Sequence, residues 1–421
     1  MKVTLAFPGT PPFAQQAARA LHEAGMLKRF VTTYHYMPDA QTSRIAAAIG
    51  SFTGFDLARE LKRREILEVP VEVVRAYPFW EVLRVGLAKL KIGPIWVDRV
   101  WDIGSHRFDH VVATGELEGA DAIYSYEYTC LESFEAAKQR KITTILDLPS
   151  PDSGFVEGLL ADEVAKFPNL KRDHSDYFDR KLPERLKRRR DELKLADIVV
   201  ANSAFTARSY IAAGVAPEKI LVVHYGAPEV TADTTSRESK GPLKVLWAGT
   251  FSIRKGAHYL LEAWRSLKLD GRAELIVFGA VTLPDGLLGD LPKSITIKPT
   301  IPRSELYAQY SCADVLAFPT LADGFGMVVT EAFAYGLPVI TTSRAGAADL
   351  VRHGENGLIV EAASAVAIAE SIEWCLTNRG ALAKMHDAAR ATAESWQWSD
   401  YRHALSEGLR DKLLVADTSR T

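Results

Sequence analysis

Short runs of apolar, β-branched residues alternate with longer helix-forming stretches along nearly the whole chain, and this alternation constrains the fold more than any other feature. A strand buried on both faces needs a continuous apolar run. Joining two such strands in parallel needs a crossover long enough to hold a helix. In the first half the runs are Val3–Phe7, the segment near Phe30–Thr33, Ala122–Tyr124, Thr143–Leu146 and Ile198–Ala201. Each leads through a turn into a helical pattern, as in the Ala-rich stretch Phe13–Ala24 that opens after Pro11-Pro12. The pattern predicts an α/β protein with parallel sheets.

The series breaks once. Gly226-Ala227-Pro228 closes one unit, and Thr231–Gly241 is polar, charged and turn-rich, a composition that fits a linker. A second series opens at Lys244-Val245-Leu246-Trp247-Ala248 and runs through Glu274–Phe278, Ser294–Ile297, Val315–Phe318, Pro338–Thr341 and Leu358–Val360. A chain of 421 residues also exceeds what one hydrophobic core usually supports. The expected division is two Rossmann-like, doubly wound domains, 1–228 and 243–395, joined by a linker over 229–242 and facing each other across a cleft. Ligands then belong at the carboxyl ends of the strands. Residues 396–421 should form a last helix, capped by Ser399 or Asp400, that packs back on the first domain.

Composition narrows the function classes. A net charge of -2 gives no overall drive towards nucleic acid or anionic membranes, so any basic site must be local. Cys130, Cys312 and Cys375 lie far apart without metal-ligand spacing, which predicts free thiols in a reducing cytoplasm. The opening run is cut off by Pro8-Gly9, short of the about 7–15 apolar residues of a secretory core. No run approaches the roughly 18 apolar residues of a spanning helix. The expectation is a soluble, cytoplasmic protein, or one at the inner face of a membrane.

Two segments carry chemistry. The first is Trp247-Ala248-Gly249-Thr250-Phe251-Ser252-Ile253-Arg254-Lys255-Gly256, between a strand and the helical stretch Ala257–Leu267. Gly249 lets the backbone turn closely, and Arg254-Lys255 place two cations beside a helix start whose free amides already favour anions. Arg suits two oxygens of one phosphate, and Lys acts as a point charge. The alternative is a solvated loop with two surface charges. The second segment is Asp323-Gly324-Phe325-Gly326-Met327-Val328-Val329-Thr330-Glu331, after the strand Val315–Phe318 and the turn Pro319-Thr320. Gly324 and Gly326 flank an aromatic in a loop whose amides can face a ligand, and a helix from Met327 to Tyr335 offers its start to the same space. Asp323 and Glu331 can contact the two ends of one ligand, because a carboxylate accepts two hydrogen bonds from a sugar diol.

This second segment resembles the paired-acid signature of retaining glycosyltransferases of family 4, in which two acids flank seven residues. The likeness extends in order to Ala196-Asp197-Ile198-Val199-Val200-Ala201-Asn202-Ser203, to Lys219–Gly226, to Gly346–Val351 and to Gly354-Glu355-Asn356-Gly357-Leu358. It covers residues 195–360 well and the first 190 loosely. It implies the GT-B fold, a nucleoside-diphosphate-sugar donor (UDP, GDP or ADP), no cofactor, no metal, and retention of anomeric configuration. By the same resemblance Arg254 and Lys255 bind the donor diphosphate and stabilise the leaving group, and Glu331 holds the ribose. Asp323 touches the transferred sugar, while Gly249, Thr250 and the amides of Gly324, Phe325, Gly326, Met327 and Val328 meet sugar and phosphates. Two departures stand out: Asp323 replaces the usual Glu, and Thr250 stands where many relatives carry Arg.

The acceptor is less legible. Gly9 and Thr10 follow the first strand, where a glycine-rich loop or a simple turn would face the cleft. Tyr124-Ser125-Tyr126-Glu127 and Asp147–Asp152 follow strands and should line it too, making Glu127 and Asp147 candidate sugar or acceptor contacts. None of His106, His110 and His174 occupies a convincing catalytic position. The run from Lys181 to Lys194 reads as a solvated helical face or as a dock for anionic headgroups. Phe79-Trp80, Val82–Leu90, Trp96 and Trp101 read first as core, with a dimer contact or interfacial anchor as alternatives. The leading function is hexosyl transfer to a saccharide or lipid-linked acceptor in polysaccharide or glycolipid synthesis. An epimerase or phosphorylase of the same architecture and a non-catalytic nucleotide-sugar binder remain alternatives. A dinucleotide dehydrogenase is disfavoured because no Gly-x-Gly-x-x-Gly follows a first strand.

Overall fold

A computed structural model describes residues 1–36, 65–170, 175–230 and 241–418. The first sheet holds seven parallel strands: β1 (Val3–Ala6), β2 (Leu27–Thr32), β3 (Val74–Ala76), β4 (Ala122–Tyr126), β5 (Thr143–Leu148), β6 (Ile198–Ala201) and β7 (Ile220–Val222), in the order β3-β2-β1-β4-β5-β6-β7. The second holds six: β8 (Leu243–Ala248), β9 (Ala273–Phe278), β10 (Ile295–Lys298), β11 (Val315–Phe318), β12 (Val339–Thr342) and β13 (Gly357–Val360), in the order β10-β9-β8-β11-β12-β13. Every residue of β1, β4, β5, β6, β11 and β12 is buried. Helices cover both faces of such sheets, which is why these strands read as unbroken apolar runs. Strands β3 and β7, three residues each at the sheet edges, were too short for an apolar pattern to reveal.

The order reverses direction between β1 and β4 in one sheet and between β8 and β11 in the other. Loops leaving the carboxyl ends of neighbouring strands diverge at such a point, and the crevice between them is where open α/β sheets hold ligands. The two motifs that carry cations and acids follow β8 and β11, so topology alone brings them together.

The chain leaves the first domain at Tyr225–Pro228 and returns at Trp396–Trp398. The two crossings lie side by side: Ala227 N–H donates to Trp396 O at 3.0 Å, and Trp398 N–H to Ala227 O at 3.2 Å. The expected linker at 231–240 lies outside the described residues. The last helix, Trp398–Thr418, packs on the first-domain helix Pro12–Glu23, where Arg402 reaches Gln16 Oε1 and Glu23 Oε2, each at 2.8 Å. Neither expected cap holds the N-cap position. Asp400 lies within the first turn, and its carboxylate accepts from Gln397 N–H at 2.7 Å, the reach-back half of a capping box.

Two surface readings change. The helix Ser175–Leu195 turns Arg185, Arg188 and Arg189 inward and leaves Lys187, Arg190 and Lys194 exposed. Arg185 pairs with Asp98 at 2.7 Å, Arg188 with Asp109 at 2.5 Å, and Arg189 with Glu127 at 3.3 Å, while Lys187 and Lys194 share Asp191. Spacing shows a basic face but not the acids facing it from other elements. The aromatic stretch, expected as core, is largely exposed: Phe79 at 69%, Leu90 at 72% and Trp96 at 54%. Helices Phe79–Lys89 and Pro94–Val111 pack on one another, burying Val85, Val100 and Phe108 and leaving their outer apolar residues bare. No described helix is long and apolar enough to cross a membrane. All three cysteines are free, Cys130 and Cys375 buried and Cys312 exposed.

Asp109 and Glu192 are fully buried around Arg188. Arg188→Ala strands those carboxylates and should lower unfolding stability by about 3–5 kcal/mol, read as a shifted urea midpoint at unchanged m-value.

Candidate functional site

The loop after β8 and the loop after β11 interlock through one backbone and two side-chain hydrogen bonds. The Arg254 carbonyl accepts from Leu321 N–H at 2.9 Å and Thr320 Oγ1 at 3.2 Å, and Arg254 Nη1 donates to Ala322 O at 3.3 Å. Gly256 then starts the helix Ala257–Leu267 at φ +75°, and a Cβ there would lie 2.0 Å from Pro319 O. Only glycine allows that approach. The result places Lys255 Nζ 3.8 Å from Asp323 Oδ2, with the ammonium 5.3 Å from the Phe318 ring. Both side chains are mostly buried, at 17% and 16% exposure.

Gly249 and Thr250 border a cavity of about 180 Å³ with Phe278, Gly279, Ile301 and Leu306. Phe278, Ile301 and Leu306 give it apolar walls, with Thr250 and Thr300 as polar side chains, a setting that suits a flat ring. Glu331, inside the helix Met327–Ala334, is 5% exposed. Arg303 Nη2 lies 2.8 Å from its Oε1, and the Tyr310 hydroxyl donates to its Oε2 at 3.0 Å. Burial pushes this carboxyl upward, against the pull of Arg303, Tyr310 and, more weakly, Lys255. Sequence spacing did not single out Arg303 or Tyr310. Both lie on the helix Arg303–Cys312, and only packing brings that helix against Glu331.

The loop 323–326 is also the meeting point of the domains. The Gly324 carbonyl accepts from Ser203 Oγ at 2.6 Å and Thr206 Oγ1 at 3.1 Å, and a Cβ on Gly324 would stand 2.2 Å from Pro149 O. Phe325 is buried, its ring 5.2 Å from Tyr225. Gly326 caps the helix at φ +82°, and Met327 and Val328 form its first turn.

In the first domain, Gly9 and Thr10 are half-buried after β1. The Gly9 carbonyl accepts from Thr32 Oγ1 at 3.0 Å and that of Thr10 from Gln15 Nε2 at 2.9 Å. The two acids expected to line the cleft do not. Glu127 is tied to Arg189 and to the Tyr210 hydroxyl at 3.0 Å. Asp147 is 1% exposed and accepts from the Tyr124 hydroxyl at 2.5 Å, beneath Tyr126, Tyr225 and Tyr401. Both sit where a strand ends, but the last helix and the Tyr225 segment close over Asp147, and the helix Ser175–Leu195 over Glu127. His106 is half-buried and pushed downward by burial, His110 pairs with Glu132 at 2.9 Å, and His174 lies outside the described residues.

Known proteins resemble the chain in both sequence and fold. Residues 231–392 match the family model described as "Glycosyl transferases group 1". The second domain is similar to that family over nearly its whole length. A D-inositol 3-phosphate glycosyltransferase of Catenulispora acidiphila is 29% identical over 246 residues, 51% of this chain and 59% of that protein. A GDP-mannose-dependent alpha-(1-6)-phosphatidylinositol monomannoside mannosyltransferase of Mycobacterium tuberculosis is 32% identical over 172 residues, 37% of this chain and 44% of that one. The chain thus spans about half the length of the curated relatives it matches. Among solved structures, the sucrose-phosphate synthase of Thermosynechococcus elongatus superimposes with a TM-score of 0.65 at 20% identity, covering 99% of this chain and 100% of that one. HepE of Anabaena in complex with UDP gives 0.61 at 16% identity, covering 98% and 100%. The shared fold is GT-B, two facing α/β domains.

Burial pushes Asp147 up to about 7, well above its ordinary 3.8. The folded protein therefore keeps a proton that the unfolded chain releases. The stability this brings is full below about pH 4 and is lost as pH rises through about 7. Asp147→Asn should flatten that dependence and gain in thermal midpoint over wild type between pH 5 and pH 8, as thermal melts across that range would show.

Proposed function

We propose that the protein is a retaining glycosyltransferase that moves a hexose from a nucleoside-diphosphate sugar to a saccharide or lipid-linked acceptor, in polysaccharide or glycolipid synthesis. The observation that carries this reading is the convergence of Arg254, Lys255 and Asp323 at the switch point of the second sheet. Breaking a sugar–diphosphate bond puts negative charge on the departing phosphate and positive charge on the sugar ring. Fixed cations stabilise the first, and a half-buried site makes them stronger than they would be in water. Arg254 and Lys255 are those cations, beside the free amides of the Ala257 helix, and no metal is needed in this reading. Asp323, already facing Lys255, meets the transferred sugar, with Gly324, Gly326 and the amides of Met327 and Val328 around it. Glu331 accepts the ribose hydroxyls while Arg303 and Tyr310 keep it oriented, and the cavity between Thr250 and Ile301 receives the base.

The UDP bound to HepE and the GDP-mannose named for the mycobacterial relative support a nucleoside-diphosphate sugar as the donor class. No observation favours an epimerase. Nucleic acid and dissociable cofactors have no part in the reading.

A thermal-shift panel of UDP, GDP, ADP and their sugars should find one base that stabilises the protein, by about 2.7 kcal/mol at a hundredfold excess over Kd. Arg254→Ala should reduce turnover by about 10²–10³-fold with little change in thermal midpoint. Wild-type turnover in that variant would remove the assignment.

A further inference from the structure

The helix Ser153–Lys166 belongs to the first domain by chain and to the second by packing. It follows β5 and is capped by Asp152, whose carboxylate accepts from Phe155 N–H at 2.8 Å. Yet Leu159, Leu160, Val164 and Phe167 pack against the apolar cluster of the second domain, and Leu170 is buried within that cluster. Glu163, on the same helix, is 2% exposed. A carboxylate so enclosed must be satisfied by fixed donors, and here two of the three come from the other domain. The Tyr259 hydroxyl donates to Glu163 Oε2 at 2.7 Å and His258 Nε2 lies 3.0 Å from the same oxygen, while Lys166 Nζ reaches Oε1 at 3.1 Å.

His258 and Tyr259 stand in the first turn of Ala257–Leu267, directly after Arg254-Lys255-Gly256. The Phe167 ring meets both edge-on, at 5.7 and 5.8 Å from their centroids. Burial lowers the His258 pKa, while Tyr259, His258 and Lys166 hold the Glu163 carboxyl below its usual range. Glu262 and Lys166 also face His258, and Glu262 and Arg344 face Tyr259. The imidazole faces the carboxylate through Nε2, and its Nδ1 is buried without a hydrogen-bond partner among the described residues. The cation loop is fastened on one side by Pro319, Thr320 and Leu321 of its own domain, and the helix it feeds is fastened on the other by Glu163.

We propose that Glu163 is a positioning residue of the donor site, a first-domain carboxylate that grips the opening turn of the Ala257 helix and so sets Arg254 and Lys255 for the diphosphate. The inference rests on the donor reading above. Glu163 acts through His258 and Tyr259, so its removal should be felt by the phosphates of a ligand and not by the base.

Calorimetric titration separates the two. Glu163→Gln should bind the stabilising nucleoside diphosphate about tenfold more weakly, bind the corresponding nucleoside as wild type does, and keep its thermal midpoint within a few degrees. Tyr259→Phe removes one donor with no change of charge and should lose in the same direction, which keeps the test open if Glu163→Gln folds poorly. Arg254→Ala provides the reference for a phosphate-specific loss. Diphosphate affinities of both clasp variants within twofold of wild type would overturn the inference alone, as would equal losses for nucleoside and diphosphate. A wild-type protein that binds none of the three diphosphates would overturn the donor reading and this inference with it.

Discussion

The close approach of Gly324 to the first domain is the contact on which the cleft depends. Its carbonyl takes hydrogen bonds from Ser203 and Thr206, and the backbone of Pro149 leaves no room for a Cβ. The loop that presents Asp323 is thereby pressed between the ends of β5 and β6 and its own sheet. Behind it, Phe13 stacks on Tyr225 at 5.5 Å and Tyr225 meets Phe325 at a tilt at 5.2 Å, so apolar packing runs from one domain into the other. A second fastening, between Glu163 and the Ala257 helix, holds the cation loop. The loop of Asp323 and the loop of Arg254 and Lys255 are each anchored across the domain boundary, which couples their spacing to how the domains sit.

Buried charge is distributed unevenly between the two domains. In the first, nearly every striking acid or base of the sequence is consumed internally: Arg185 by Asp98, Arg188 by Asp109, Glu127 by Arg189, Asp147 by tyrosines. Such pairs gain little over an apolar core but are costly to break, so they hold the helices Pro94–Val111 and Ser175–Leu195 to the sheet. In the second domain, the Arg254 guanidinium donates to a backbone carbonyl, that of Ala322, and Lys255 meets Asp323 at a distance beyond a hydrogen bond. A cation held in place by backbone contacts rather than by a close acid retains its field for an anionic ligand.

The acceptor side follows from the same asymmetry. Gly9 and Thr10 stay at the cleft with their carbonyls engaged, whereas Glu127 and Asp147 are withdrawn beneath it. The two strand-end carboxylates that residue type alone nominates are thus engaged by Arg189, Tyr210 and Tyr124.

The sequence by itself determined the periodicity, and with it the parallel sheets, the two-domain division and the positions of the two loops that carry Arg254, Lys255, Asp323 and Glu331. Those features are local: a strand buried on both faces must be an apolar run, and a loop between strand and helix must contain its own glycines and charges. Tertiary structure alone decided which charges remain available. Whether Arg188 faces a membrane or Asp109, whether Asp147 faces a sugar or a ring of tyrosines, and whether Glu331 stands alone or beside Arg303 depends on partners far away in the chain. Hydrogen bonds and ion pairs of that kind leave no period in the sequence, because their geometry exists only once the sheets have packed.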